Sequence, residues 1–102
     1  MKIIAKDRQK GKTNDLIELS AEMDIPILCT TKSNRDIIRK IAMERSIDIP
    51  EPLCIDCRSF GFRERLANYR NIIVDDADYL LQQLLGTNIY ALSITTKEDK
   101  GE

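Results

Sequence analysis

Histidine is absent from the 102 residues. That single absence removes Ser-His-Asp and Cys-His catalysis, histidine-ligated zinc and imidazole pH switching. Any acid–base or metal chemistry must therefore run on carboxylates, lysine, arginine, hydroxyls or a metal held by oxygen. Cysteine is scarce and odd in number, Cys29, Cys54 and Cys57, and with no export signal the thiols are expected to stay reduced. The Cys54-Ile55-Asp56-Cys57 spacing, with neither a histidine nor a second cysteine pair, cannot complete a tetrahedral zinc site within one chain. These cysteines are read as buried strand residues. Apolar runs such as Ile72-Ile73-Val74 and Leu80-Leu81 fall far short of the roughly 20 residues of a membrane span. The opening Met1-Lys2-Ile3-Ile4-Ala5-Lys6-Asp7 has too short an apolar stretch for a secretory signal, so a cytoplasmic protein without membrane contact is expected.

What is present is globular composition: 42% hydrophobic and 32% charged residues, with only four glycines and three prolines, enough for one compact domain with a real core. A net charge of −1 argues against coating DNA or anionic lipid through an overall field and leaves only local basic patches.

Along the chain, strand and helix patterns alternate. Lys2-Ile3-Ile4-Ala5 predicts a first strand and the polar stretch 6–12 a loop. A helix over about 13–23 places Leu16, Ile17, Ser20 and Met23 along one side. Pro26 ends it, and Ile27-Leu28-Cys29-Thr30 reads as a second strand. Ser33 is expected to cap a helix running to about Ser46, with Asp36 near its positive end and a stripe of Ile37, Ile38, Ile41 and Ala42. Ile49-Pro50-Glu51-Pro52 reads as an extended connector and Leu53-Cys54-Ile55 as a short strand. The segment 58–70 reads as a loop carrying Arg58, Arg63, Arg65 and Arg70. Asn71-Ile72-Ile73-Val74-Asp75 is the signature of a strand buried on both faces, in the middle of a sheet. A helix with Leu80, Leu81, Leu84 and Leu85 follows, closed by Gly86, then a last strand over 89–95. The expectation is an α/β fold: a mostly parallel sheet of about five strands with helices on both faces, a single domain over 1–97 and a charged tail over 98–102. Ligands of such sheets bind at the carboxyl ends of the strands.

Two segments at those ends carry chemistry. In the loop Arg8-Gln9-Lys10-Gly11-Lys12-Thr13, Gly11 lets the backbone approach a phosphate, Lys12 supplies a point charge and Thr13 offers a hydroxyl to Mg²⁺, at the start of a helix. The full G-x-x-x-x-G-K-[ST] pattern also wants a glycine at position 6, where Lys6 stands. The second segment is Ile72-Ile73-Val74-Asp75-Asp76, an apolar strand tipped by acids able to hold Mg²⁺ and orient a water.

Together these resemble a minimal P-loop NTPase of the RecA-like branch. Arg8 to Thr13 is similar to the R-Q-x-G-K-T form of Walker A in phage terminase subunits and helicase-like proteins. Asp75-Asp76-Ala77-Asp78 resembles the D-E-A-D form of Walker B, Thr30-Thr31 a helicase element that touches nucleic-acid backbone, and Ser93-Ile94-Thr95 the S-A-T element after Walker B.

The resemblance implies a three-layer RecA-like fold in a phage- or prophage-encoded protein. It implies ATP bound with Mg²⁺, the phosphates on Arg8, Gln9, Lys10, Gly11, Lys12 and Thr13, the metal on Thr13 and Asp75, and Asp76 as the catalytic acid of a weak ATPase tied to DNA transactions. It also implies Ser93 or Thr95 as a phosphate sensor, and partners among nucleic acid, a second copy or a host or phage protein. The alternative is a degenerate P-loop domain working as a protein-interaction module, for which Asp in place of Glu at position 76 and the missing glycine speak. The arginines of 58–70, with Lys32 and Arg35, are read first as solvated charge, and a nucleic-acid backbone is the competing reading. No N-K-x-D guanine-binding pattern is present, which favours ATP.

Overall fold

A computed structural model describes residues 3–5, 11–55 and 66–95. The elements are α1 (Lys12–Met23), β1 (Ile27–Cys29), α2 (Lys32–Glu44), β2 (Leu53–Cys54), β3 (Ile73–Val74) and α3 (Ala77–Leu85). The three strands form one parallel sheet in the order β2-β1-β3. Leu28 pairs with Leu53 on one side and with Val74 on the other.

The main core cluster lies on one face of that sheet, although β1 is buried on both. Ile27 and Cys29, two residues apart and so on the same side of β1, pack with Leu16 and Ile17 of α1 and Ile38 and Ala42 of α2. Both helices therefore cover the same face of the central strand, and Arg45, the C-cap of α2, reaches across to α1, where it bonds Glu18 at 2.7 Å and Asn14 at 3.2 Å. Such exposed pairs contribute at most about 1 kcal/mol. Apolar burial carries the packing.

Helix ends follow local chemistry. Thr31, in extended conformation, accepts a hydrogen bond from the Asn34 amide at 3.1 Å and is the N-cap of α2. Ser33, expected in that role, lies inside the helix. At its other end Ser46 turns left-handed at φ 56. The Ile47 amide then bonds Ala42 O at 2.8 Å and the Ser46 amide bonds Met43 O at 3.0 Å, a Schellman closure that delivers Ile47 to the core. α1 closes similarly through Asp24 at φ 59, with the Ile25 amide on Ser20 O. The turn leaves Met23 exposed, outside the predicted stripe. Ile37 is likewise exposed, while Ile38 and Ala42 are buried as expected.

The five-stranded RecA-like sheet with helices on both faces is not what forms: the described residues contain three strands. Residues 3–5 make no ladder, although Ile4 packs against the core. Residues 89–95 are not a strand either, and 90–95 are exposed. The Ile89 amide donates to Gln82 Oε1 at 2.8 Å, which ties this segment back to α3 instead of to the sheet. Among the described residues β3 is consequently an edge strand and not the middle one, with Val74 37% exposed. At two residues it offers an incoming strand few hydrogen bonds against an ordering cost of about 1–2 kcal/mol per residue. α3 ends at Gly86 in the left-handed conformation, as its sequence predicts, but buries none of its residues. Of its leucine stripe, Leu81, Leu84 and Leu85 are exposed and Leu80 is half-buried. No helix among the described residues is long and apolar enough to cross a membrane.

Candidate functional site

β1 and β3 run in the same direction, so the residues that follow them, Thr30, Asp75 and Asp76, emerge at one end of the sheet. Helices that return along a parallel sheet begin at that end. A cleft of about 540 Å³ opens there, lined by Gly11, Lys12, Thr13, Asn34, Asp76, Asp78, Tyr79 and Gln82. Gly11 is the N-cap of α1, Asn34 lies in the first turn of α2, and Asp76, Asp78 and Tyr79 belong to the N-cap and first turn of α3. All three helix N-termini thus border one space. Each carries partial positive charge and amides without intrahelical partners.

Gly11 sits at φ 80, the left-handed region where a side chain is strained, and no atom stands within 4 Å of where a Cβ would be. The requirement for glycine here is conformational. It turns the chain into α1 and leaves its surface open. Lys12, the next residue, reaches across the cleft. Its Nζ donates to Asp76 Oδ1 at 2.7 Å, joining positions 64 residues apart in sequence. The pair is partly screened, with side-chain exposures of 25% and 38%. This hydrogen bond is the main reason that the Lys12 ammonium is held above its ordinary pKa; burial opposes it, and the charges of Asp76, Asp75 and Asp78 add to it.

Asp76 holds a left-handed backbone at φ 53, ψ 57, and its side chain makes no cap bond to α3. An N-cap aspartate ordinarily accepts from an amide of its own first turn. Here that carboxylate is spent on Lys12. Asp75 behaves differently. It is 6% exposed, its amide continues the ladder to Leu28 O at 3.0 Å, and its Oδ1 has no hydrogen-bond partner. Burial first, then the charge of Asp76, pushes its carboxyl above the usual range, against the pull of Lys12 and a hydrogen bond from the Asp76 backbone. Thr30 Oγ1 and Arg35 Nε, near the same strand ends, also lack hydrogen bonds. Cys29, one residue before Thr30 and fully buried, has its thiol pushed up to about 12, chiefly by burial, as fits a packed side chain.

Of the residues singled out in the sequence, Gly11, Lys12, Thr13 and Asp76 meet at the cleft, and Asp75 lies buried behind it. Arg8, Gln9 and Lys10 fall outside the described residues, as do Lys6, Cys57, Arg58, Arg63, Arg65 and the tail 98–102. Ser93 and Thr95 are exposed and do not line the cleft. Thr31 is engaged as a cap and Thr30 is buried. Asn34, Tyr79 and Gln82 were not anticipated. For the last two a signal existed, since Asp78, Tyr79 and Gln82 fall at one, three and four residue spacings on the polar side of α3, away from its leucines. Asn34 had none beyond its place just after a strand.

A divalent cation can be tested against this donor set. No group of three or more His, Cys, Asp or Glu among the described residues converges on a point. Hard oxygen donors, with Asp75 Oδ1 lacking a partner, suit Mg²⁺, which keeps several waters and takes only one or two protein ligands beside a phosphate. Compared with protein-family models, with curated proteins and with solved structures, the chain matches none.

Proposed function

We propose that the chain binds the phosphate chain of a nucleoside triphosphate, ATP in the first instance, together with Mg²⁺, in the cleft where α1, α2 and α3 begin. The observation that carries this is the convergence of three helix N-termini on a space that also holds the Lys12 ammonium. The amides of α1 and α3, which no side chain caps, and a cation suit an oxyanion, and an open left-handed glycine suits its close approach. In this reading the amides from Gly11 to Thr13 cradle phosphate oxygens and Lys12 transfers from Asp76 to them. Thr13 and Asp75 are the residues that would hold Mg²⁺, whose chemistry is to neutralise charge on the phosphate oxygens. Asp76, freed from Lys12, is the acid next to the transferred phosphate and would orient a water.

A second reading, a binding module that does not turn the nucleotide over, draws support from the engagement of Asp76. One methylene shorter than glutamate, it has less reach toward an attacking water.

Thermal unfolding with and without Mg-ATP tests the binding. Ligand at a hundred times its dissociation constant is expected to stabilise the fold by about 2.7 kcal/mol. Lys12→Ala should lose one charge-assisted contact, about 1.5–3 kcal/mol or roughly ten- to a hundredfold in affinity. Unaltered ATP binding by Lys12→Ala overturns the proposal. Single-turnover hydrolysis, with and without DNA, separates the two readings.

A further inference from the structure

We infer that Asp76 is the resident counter-ion of Lys12 and selects the form in which a phosphate chain enters, admitting the cation-bound chain and repelling the free one. This deepens the nucleotide-binding reading and rests on it. Asp76 Oδ1 accepts from Lys12 Nζ at 2.7 Å and makes no cap bond to its own helix, so its carboxylate is committed across the cleft to a residue of another element. Among the described residues, the cleft lining holds one ammonium, Lys12, against two carboxylates, Asp76 and Asp78, and Asp75 lies buried close by. The cationic group is thus neutralised by a protein anion before any ligand arrives. A phosphate chain without a cation must displace Asp76 and then face it. A chain carrying a divalent ion brings the charge that compensates the released carboxylate. The three helix N-termini attract both forms alike, so the discrimination belongs to the carboxylates.

The backbone makes the test clean. Asp76 is left-handed at φ 53, a conformation that asparagine and glycine adopt readily, so Asp76→Asn removes the charge and Asp76→Gly the side chain without loading the turn. Binding of inorganic tripolyphosphate and of ATP is measured by calorimetry, in Mg²⁺ and in EDTA. Wild type is expected to bind both at least about tenfold more weakly in EDTA. Both variants should bind in EDTA about tenfold more tightly than wild type, with most of the Mg²⁺ dependence gone. In the ligand-free protein, the ¹⁵Nζ resonance of Lys12, assigned through Lys12→Arg, should shift in both variants.

If wild type binds and neither variant gains affinity in EDTA, the selection is wrong and the binding proposal stands. An unmoved Lys12 resonance overturns the counter-ion assignment itself. If no protein binds either probe under any condition while the resonance responds, the nucleotide reading fails and the selection falls with it.

Discussion

Asp75 emerges from β3 into the core side of the sheet with 6% exposure and an oxygen that no donor reaches. A carboxylate in that state lowers stability, because the charged form has left water without full compensation. Its folded pKa is raised, so the native state holds the proton more tightly than the unfolded chain does. The penalty is therefore absent below the unfolded value near 3.9, grows as pH rises through the folded pKa, and is fully present above it. Asp75→Asn is accordingly expected to stabilise the ligand-free protein at pH 7 by on the order of 1 kcal/mol. The gain should vanish near pH 3.5. Denaturant melts of both proteins across that range check the sign, and a destabilised variant at pH 7 would mean that the carboxylate is satisfied. The same substitution should reduce the contribution of Mg²⁺ to ATP binding.

At the scale of elements, the ends of helices decide more than their middles. Ser46 holds φ 56 so that the Schellman bonds from Ser46 and Ile47 can close α2 and seat Ile47 against the core. A side chain there costs roughly 1 kcal/mol relative to glycine. Ser46→Gly is expected to raise stability by about that much in urea titration, with an unchanged m-value; a loss would show that the serine side chain makes a contact that outweighs the strain. The legible parts of the fold were those set by local pattern. The spacing of Leu16, Ile17 and Ser20 gave α1 its buried side, and Ile38 and Ala42 did the same for α2. Gly86 marked the end of α3. Thr31 and Ser33 are equivalent as caps on composition alone, and the choice fell to Thr31 because the chain is still extended there, two residues after β1 ends. What depended on pairing was not legible. Ile72-Ile73-Val74 looks like an interior strand, yet interior position requires a neighbour on each side, and the bond from the Ile89 amide to Gln82 holds the nearest candidate against α3. The candidate site divides the same way. Gly11, Lys12, Thr13 and Asp76 follow from motif chemistry and Tyr79 and Gln82 from the polar side of α3, whereas Asn34 enters only because three helices start at one end of the sheet.

For the molecule as a whole, apolar groups are distributed unequally. The face of β1 under α1 and α2 buries Ile17, Ile27, Cys29 and Ile38 almost completely. The α3 side leaves Leu84 62% and Leu85 60% exposed, with Tyr90, Leu92 and Ile94 beyond them also exposed. A helix with no fully buried residue, and with Leu80 only half-buried, is held in large part by its closing turn at Gly86, by the chain on either side and by the Lys12 contact of its N-cap residue. Leu84 and Leu85 therefore contribute little to folding of the isolated chain. The double substitution Leu84→Lys with Leu85→Glu keeps good helix formers at both positions, so stability should stay within about 0.5 kcal/mol of wild type. For a chain near 100 residues that is a shift in Tm of less than about 4 °C. A loss several times larger, independent of protein concentration, would mean that the stripe is covered from within the same chain. A loss that grows as wild type is concentrated, with a matching rise in its sedimentation coefficient, would mean that a second copy covers it. Melting curves at two concentrations, run beside sedimentation velocity, distinguish these outcomes because intramolecular burial is blind to concentration and association is not.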